Sequence, residues 1–373
     1  MSVSDMIRSK FSDWYYGEEN KDAGKVDMAK KKRQRGTAVL ELESRIIART
    51  VETRDGVKLS TSVIKGGPKV MLLCAPLGLH DLSIYYPMML HFGSEYTYVG
   101  WNYRGMFKSG TPKRNRQISI RDHAQDALQV LEQRGFDHAD VLVGHSMGVS
   151  VGLEFVLLYP EKVNSLIFLN GAHGNVFSTA FQPAVRIPFV GNISEWLVRT
   201  LLQNNPRLIV TGIRNFMKFA PVQVGLNLWS RMFGSETARN ASGDYYLSNF
   251  FENYFNGICR DDKTSKNYLR SFQELNAHSV YHLLHTIQHP TLLISGVFDY
   301  VTPSYHMREM AREMKNSTHI SDPWSTHASL LENPELVVAQ AQVFLAKQSS
   351  RFQRCSSTHF ESIQTVSDSV CEE

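Results

Sequence analysis

The chain has 373 residues, of which 42% are hydrophobic and 20% are charged. This is the composition of an ordinary globular protein that is long enough to bury a large core, which excludes general disorder. Forty Lys and Arg against 36 Asp and Glu give a formal net charge of +4, a bias too small to require nucleic acid or an anionic surface as a partner.

Signals for export, membrane insertion or metal binding are missing from the sequence. The first twenty residues lack the apolar segment of a secretory signal, and no later run approaches the roughly 20 apolar residues of a membrane span. The cysteines are scattered and have no histidine cluster nearby, which predicts reduced thiols, no metal site and no cofactor. A cytoplasmic protein is the expectation.

The two ends differ from the centre in composition. Residues 1–45 are polar and contain the basic run AKKKRQRG, which predicts a flexible, solvated arm. A nuclear-import signal or a contact with anionic lipid stays open as a role for this run. Residues 348–373 are rich in serine and lack any helical or strand period, which predicts a disordered tail.

Short apolar runs alternate with helix-like segments between these ends. The apolar runs are typical of strands covered on both faces, and they are KVMLLCA (69–75), YTYVGWNY (96–103), DVLVG (140–144), SLIFLN (165–170) and TLLISG (291–296). Two segments between them have helical spacing and stop at Gly135 and Pro160. The alternation predicts an α/β fold with a doubly wound, mostly parallel sheet.

One polar residue interrupts the pattern at a tight turn. Ser146 lies between the strand DVLVG and a helix, flanked by Gly144 and Gly148 in a Gly-x-Ser-x-Gly pattern. The glycines allow strand and helix to approach closely, and the serine is held in a strained conformation above the helix N-terminus, which favours negative charge. This context predicts a nucleophile elbow, against the alternative of a serine without chemical role at a glycine-rich turn. His145, inside the elbow, is expected to make local contacts rather than to do chemistry.

Four further segments resemble the α/β-hydrolase superfamily, and the resemblance covers about residues 47–347. They are similar to the family's oxyanion loop (CAPLGLHD, 74–81), Arg-Gly segment (WNYRGMFKSG, 101–110), acid loop (ISGVFDYVTP, 294–303) and histidine loop (STHASLLENPELV, 325–337). The order nucleophile, acid, histidine is also that of the family. The resemblance implies an α/β-hydrolase core at 46–173 and 289–347, with helices on both faces of the sheet and an inserted helical cap at 174–288.

The resemblance also implies a role for each matching residue. His327 would accept the proton of Ser146 and pass it to the leaving group, and Asp299 would orient the imidazole. The backbone N–H groups of Leu77 and Met147 would bind the oxyanion. Asp322 is a spare acid near His327, but the sequence gives it no strand-end placement like that of Asp299.

Two of these segments depart from the family pattern. Ala75-Pro76 replaces the usual His-Gly before the first oxyanion donor, and a proline at 76 removes no predicted donor. Asn102 replaces the usual Asp of the Arg-Gly segment, which we expect to change only hydrogen bonding within that loop.

The cap is the part of the chain that would select a substrate. It carries aromatic residues in helical spacing, among them Trp196 and Trp229, which we assign to a substrate pocket. Most aromatic residues in such faces hold the cap together. An aromatic roof over the serine nevertheless favours a hydrophobic acyl group.

The leading functional prediction is a serine hydrolase that cleaves a carboxylic ester, including a lipid ester or thioester, through an acyl-enzyme. Acyl transfer or carbon–carbon bond hydrolysis by the same serine is one alternative. A non-catalytic signalling or scaffold protein is the other, although such a protein is expected to lose residues of the triad. The expected partner is a small-molecule ester, without nucleic acid, and a transient contact with a membrane surface stays open.

Overall fold

The computed structural model describes residues 38–349, except 81, 114–116, 259 and most of 177–256, where 212, 215 and 254 are described. Trp196 and Trp229, the arm before residue 38 and the tail after residue 349 lie outside the described residues. Among the described helices, none is long and apolar enough to cross a membrane.

An eight-stranded sheet forms the centre of the described part. Its strands are β1 (Ile47–Glu52), β2 (Lys58–Ile64), β3 (Lys69–Cys74), β4 (Tyr96–Trp101), β5 (Ala139–His145), β6 (Val163–Leu169), β7 (Thr291–Gly296) and β8 (Ser317–Asp322). Their order is β1-β2-β4-β3-β5-β6-β7-β8. β2 pairs antiparallel with β1 and β4, and the other neighbouring strands run parallel. The predicted α/β fold with a mostly parallel sheet is confirmed.

The described residues include eight α-helical segments of four residues or more. They are α1 (38–44), α2 (Tyr86–Phe92), α3 (Ile120–Gln133), α4 (Met147–Leu158), α5 (Asp262–Ala277), α6 (Tyr305–Glu313), α7 (Ser329–Glu332) and α8 (334–349). α3 begins with a capping box, in which Ser119 and Asp122 each accept from the other's backbone N–H. It ends just before Gly135, whose φ of 86° is the left-handed conformation typical of a glycine after a helix.

Helix α1 changes the expected boundary of the N-terminal arm. Val39 and Leu42, three residues apart on one face, are 8% and 6% exposed and belong to the core on one side of the sheet. Burial of two apolar side chains stabilises this segment against the sheet. Residues 38–44, which the sequence analysis placed in the arm, are therefore helical and packed against the sheet.

Apolar side chains alternate between the two faces of the sheet. In β3, Leu72 packs in the core that contains residues of α3 and α4, whereas Met71 and Leu73 pack in the core that contains residues of α2 and α8. This is the two-residue period of a strand covered on both faces. Because β3, β5, β6, β7 and β8 run parallel, their carboxyl ends and the loops that follow meet at one edge.

The Arg-Gly segment, which follows β4, contains a buried ion pair. The Arg104 guanidinium donates to Asp126 at 2.8 and 2.5 Å and to Asp55 at 2.9 Å. Arg104 and Asp126 are almost fully buried, and a two-pronged arginine–carboxylate contact fixes the relative orientation of its elements. The segment thus joins α3 to the turn between β1 and β2.

Candidate active site

Ser146 occupies a strained turn between β5 and α4. Its φ of 55° is uncommon for a residue other than glycine. A Cβ on Gly148 would collide with the carbonyl of Cys74 in β3, and one on Gly144 would lie 2.5 Å from the carbonyl of Gly148. The two glycines therefore permit the close approach of strand and helix that the Gly-x-Ser-x-Gly pattern predicts.

The three residues predicted to act together are in continuous hydrogen-bonding contact. His327 Nε2 lies 2.9 Å from Ser146 Oγ, and His327 Nδ1 lies 2.9 Å from Asp299 Oδ2. An ionised carboxylate only accepts, so Nδ1 carries the proton and the Nε2 lone pair faces the serine hydroxyl. The arrangement allows proton transfer from Ser146 to a correctly oriented imidazole.

Asp299 is buried yet held in its ionised form. Its Oδ1 accepts from the backbone N–H groups of Val301 and Thr302 at 2.9 and 2.8 Å. Burial alone would raise the pKa of Asp299, but His327 and hydrogen bonds from Thr302 and Asn170 hold it below its usual value. The carboxylate therefore stays charged at neutral pH.

Asn170 is a site residue to which the sequence analysis gave no role. It follows β6, is fully buried, and donates from Nδ2 to Asp299 Oδ2 and to the Thr326 carbonyl, both at 3.0 Å. A polar residue at the carboxyl end of a buried parallel strand was the available signal. What it contacts depends on β7 and the histidine loop, which the sequence does not place beside it.

His145 holds the backbone of His327. Its Nε2 lies 2.9 Å from the His327 carbonyl, which only accepts, so Nε2 carries the proton. Burial, together with the proximity of the His327 imidazole, lowers the pKa of His145 to about 3. His145 is therefore neutral, and its local contact agrees with the sequence expectation.

The position of Asp322 differs from the sequence prediction, which gave it no place at the end of a strand. Asp322 does end a strand, β8, so strand-end placement does not separate it from Asp299. The side chain of Asp322 accepts from Ser325 Oγ at 2.5 Å and from Asn333 Nδ2 at 3.0 Å. It shapes the histidine loop, whereas Asp299 contacts the imidazole.

The loop predicted to bind the oxyanion (74–81) accepts hydrogen bonds from three tyrosine hydroxyls. Tyr85 and Tyr103 donate to the carbonyls of Cys74 and Ala75 at 2.5 and 2.7 Å, and Tyr254 donates to the Leu77 carbonyl at 3.1 Å. Met147 is the first residue of α4, and the first N–H groups of a helix have no partner within it.

The edge of this loop is shaped by Gly78. It has a φ of 84°, and a Cβ there would lie 2.9 Å from the rings of Tyr254 and Tyr268. His80, which follows, stacks on Phe107 with ring centroids 4.0 Å apart. A side chain at position 78 would therefore push Tyr254 away from the Leu77 carbonyl.

Residues 66–334 match the family described as the alpha/beta hydrolase fold. The chain belongs to this family. A RutD protein of Azorhizobium caulinodans, named as a carbamate hydrolase, is 24% identical over 276 residues, which are 73% of this chain and 89% of that protein. The RutD protein of Caulobacter segnis is 30% identical over 105 residues, which are 28% of this chain and 39% of that protein.

A solved esterase has the same fold. The esterase from Exiguobacterium antarcticum superposes with a TM-score of 0.56 at 20% identity, over 80% of this chain and 100% of that one. At this identity the likeness concerns the α/β-hydrolase fold alone.

Proposed function

We propose that the protein is a serine hydrolase that cleaves a carboxylic ester, with lipid esters and thioesters within that class. The observation that carries the proposal is the unbroken chain of contacts from Asp299 through His327 to Ser146. Each residue type suits its position, because a serine hydroxyl needs a base and a neutral imidazole needs a partner that fixes its tautomer.

In the first half-reaction, Ser146 Oγ attacks the ester carbonyl while its proton moves to His327 Nε2. A C–O bond forms, and the carbonyl π electrons move onto the oxygen. The backbone N–H groups of Leu77 and Met147 are the proposed donors to that oxyanion. When the tetrahedral intermediate collapses, the ester bond breaks and His327 gives its proton to the leaving alcohol, or thiol, which leaves acylated Ser146.

In the second half-reaction, water attacks the acyl-enzyme. His327 Nε2 takes one proton of the water, and the tetrahedral intermediate then collapses to a carboxylic acid while that proton returns to Ser146 Oγ. Asp299 stays ionised throughout and stabilises the imidazolium that forms in each half-reaction. The buried hydrogen bonds around its carboxylate support this role.

For the substrate, we propose a hydrophobic acyl group. Trp196 and Trp229 are the pocket residues assigned from the sequence. Among the described residues, Tyr254 and Tyr268 lie beside the oxyanion loop, with their hydroxyls 2.9 Å apart. Aromatic surfaces beside the loop proposed to bind the oxyanion favour burial of an apolar acyl chain over a sugar or a nucleotide.

A carbamate is the second candidate substrate, because the RutD likeness extends over most of the chain. The same serine would attack the carbamate carbonyl, and water would then release the carbamoyl group. The two candidates share Ser146, His327 and Asp299 but differ in the carbonyl group that the pocket must accept.

Labelling with a fluorophosphonate probe, followed by turnover of esters and carbamates, tests the proposal. Wild-type protein should be labelled and should hydrolyse esters, and Ser146→Ala should lose both properties. Ser150→Ala is the matched control, since Ser150 is a buried serine of the same turn region whose hydroxyl donates to the Ala172 carbonyl. Equal turnover in the Ser146→Ala and wild-type proteins would disprove the nucleophile assignment, and turnover of carbamates alone would favour the second candidate.

A further inference from the structure

A second group of polar side chains lies beyond the acid loop. His173 Nε2 is 2.9 Å from Glu309 Oε2 and 3.3 Å from His306 Nδ1. The three ligand atoms all lie within 4.8 Å of one another. We call His173, His306 and Glu309 the His-His-Glu cluster; its side chains have no part in the proposed hydrolysis.

The spacing of the cluster suits a tetrahedral metal ion. Zinc binds histidine nitrogen at about 2.0–2.1 Å, so two nitrogens on one tetrahedral zinc lie about 3.3–3.4 Å apart. The separation of His173 Nε2 and His306 Nδ1 agrees with that value. The carboxylate of Glu309 is already beside one of these nitrogens and needs only a small movement to share the ion.

The ligand types and their exposure also fit. Two neutral imidazoles and one carboxylate are a common donor set for zinc, with a fourth position open to water. His306 is 1% exposed, whereas the Glu309 side chain is 34% exposed. The cluster therefore has buried ligands on one side and a route to solvent on the other, as a site that loads from solution requires.

The fold brings the ligands together from distant parts of the chain. His306 and Glu309 are three residues apart on α6 and so project from one face. His173 follows β6, and its carbonyl accepts from Val280 N–H at 3.1 Å, which fixes the backbone. The ring of Tyr281 lies 5.0 Å from the His173 ring and supports it.

We propose that the His-His-Glu cluster binds a divalent transition-metal ion, with zinc the best match to its ligands. The ion would crosslink the segment after β6, which carries His173, to α6, which carries His306 and Glu309. Asn170 lies in the first of these segments, and α6 directly follows the acid loop. The ion would therefore stabilise the two segments that support Asp299. The proposal does not depend on the substrate of Ser146.

Binding of Zn²⁺ to the chelator-treated, tag-free full chain tests the site. Calorimetry should give one tight Zn²⁺ per chain for the wild type. His173→Gln and Glu309→Gln should each weaken Zn²⁺ binding. The loss should exceed the roughly 10–100-fold that is typical when a residue that only hydrogen-bonds a metal ligand is removed. His285→Gln removes an exposed histidine outside the cluster and should bind like the wild type, as should Ser146→Ala.

Two further measurements separate the metal site from other causes. Co²⁺ in the wild type should show the visible absorption of a tetrahedral ion, and the His173→Gln/Glu309→Gln double variant should not. Circular dichroism and melting temperatures of the metal-free variants check that they fold. If the folded double variant binds Zn²⁺ as tightly and in the same amount as the wild type, other groups such as thiols bind the ion and the proposal is wrong. An absence of Zn²⁺ binding by the wild type would also overturn it.

Discussion

The Asn170 side-chain amide donates to Asp299 Oδ2 at 3.0 Å, which links the end of β6 to the acid loop. Asn170 also accepts from Ser329 Oγ, and its carbonyl accepts from Thr302 Oγ1 at 2.8 Å. One residue therefore joins three segments that converge on His327. Its φ of 46° suits asparagine, which adopts the left-handed conformation more readily than most residues.

Replacing Asn170 by glycine should lower kcat with little change in KM. Glycine accepts the positive φ, so the substitution removes the amide without adding backbone strain. A hydrogen bond to a charged group is worth about 1.5–3 kcal/mol, and the freed carboxylate would orient His327 less well, so we expect kcat to fall by about tenfold. Ser165→Ala is the control, since Ser165 lies on β6, which precedes Asn170, and donates to the Asp140 carbonyl. This variant should lower stability and leave kcat unchanged. Equal effects of the two variants on kcat would contradict the positioning role.

Replacing Asp299 by asparagine should reduce ester turnover by on the order of 10⁴, because an amide stabilises the wrong imidazole tautomer. Asp322→Asn should instead loosen the contacts with Ser325 and Asn333 and lower the melting temperature. Steady-state kinetics on both variants, with thermal melts, distinguishes the two acids. A larger loss of kcat in Asp322→Asn than in Asp299→Asn would reverse the assignment.

Tyr254→Phe should slow both ester turnover and fluorophosphonate labelling. The hydroxyl of Tyr254 donates to the Leu77 carbonyl, so its removal frees the loop that is proposed to bind the oxyanion. Loss of one oxyanion donor costs about 10²–10³ in kcat in other enzymes, and loss of its support should cost less. Tyr268→Phe, which removes only the contact between the tyrosine hydroxyls, should have the smaller effect; the opposite ranking would contradict the role of Tyr254.

Glu332 should make the protein less stable as the pH rises through the weakly acidic range. Burial raises the pKa of Glu332 from 4.5 to about 7, against the lowering effect of hydrogen bonds from Thr326. Below pH 4.5 folded and unfolded chains both hold the proton. Between pH 4.5 and 7 the unfolded chain releases it first, so the free energy of unfolding falls as pH rises, by about 1.4 kcal/mol for each unit of pKa difference.

Urea denaturation of wild-type and Glu332→Gln proteins across this window measures the effect. The stability of the wild type relative to Glu332→Gln should decline between pH 4.5 and 7 and level off above it. A constant difference over the whole range would show that Glu332 keeps an ordinary pKa.

Esters with longer acyl chains should be better substrates until the pocket is full. Each buried methylene is worth about 0.8 kcal/mol, so extending the chain from two to six carbons could raise kcat/KM by on the order of 10². A p-nitrophenyl ester series on wild type, Trp196→Ala and Trp229→Ala tests this. A flat series, with variants that melt earlier but keep the same chain-length preference, would assign these tryptophans to the interior of the cap.

The sequence predicts the buried part of the sheet better than its margins. β3, β5, β6 and β7 are continuous apolar runs because both faces are covered. β8 reads STHISD and lies at the edge, where most of its side chains are partly exposed. A strand of that composition has no distinctive pattern, so both β8 and the strand-end position of Asp322 escaped prediction.

In the candidate site, the sequence likewise predicts the residues that lie in local motifs better than those whose contacts are distant in sequence. Ser146 and its glycines form a local pattern, and Asp299 and His327 lie in loops with family motifs. Asn170, Tyr254 and the His-His-Glu cluster have partners more than 100 residues away in sequence. Their contacts arise from packing between segments, which residue spacing along one segment does not encode.

The order of the strands places two residues of the candidate triad at one end of the sheet. Ser146 follows the central strand β5, but Asp299 and His327 follow β7 and β8, at the end of the sheet. Local opening of that end would detach the acid and the base while the cores around β3 and β5 stay folded. Activity should therefore vanish at lower urea than the far-UV circular dichroism changes, and slow hydrogen exchange should persist in β3 and β5 of an inactive, mostly native protein.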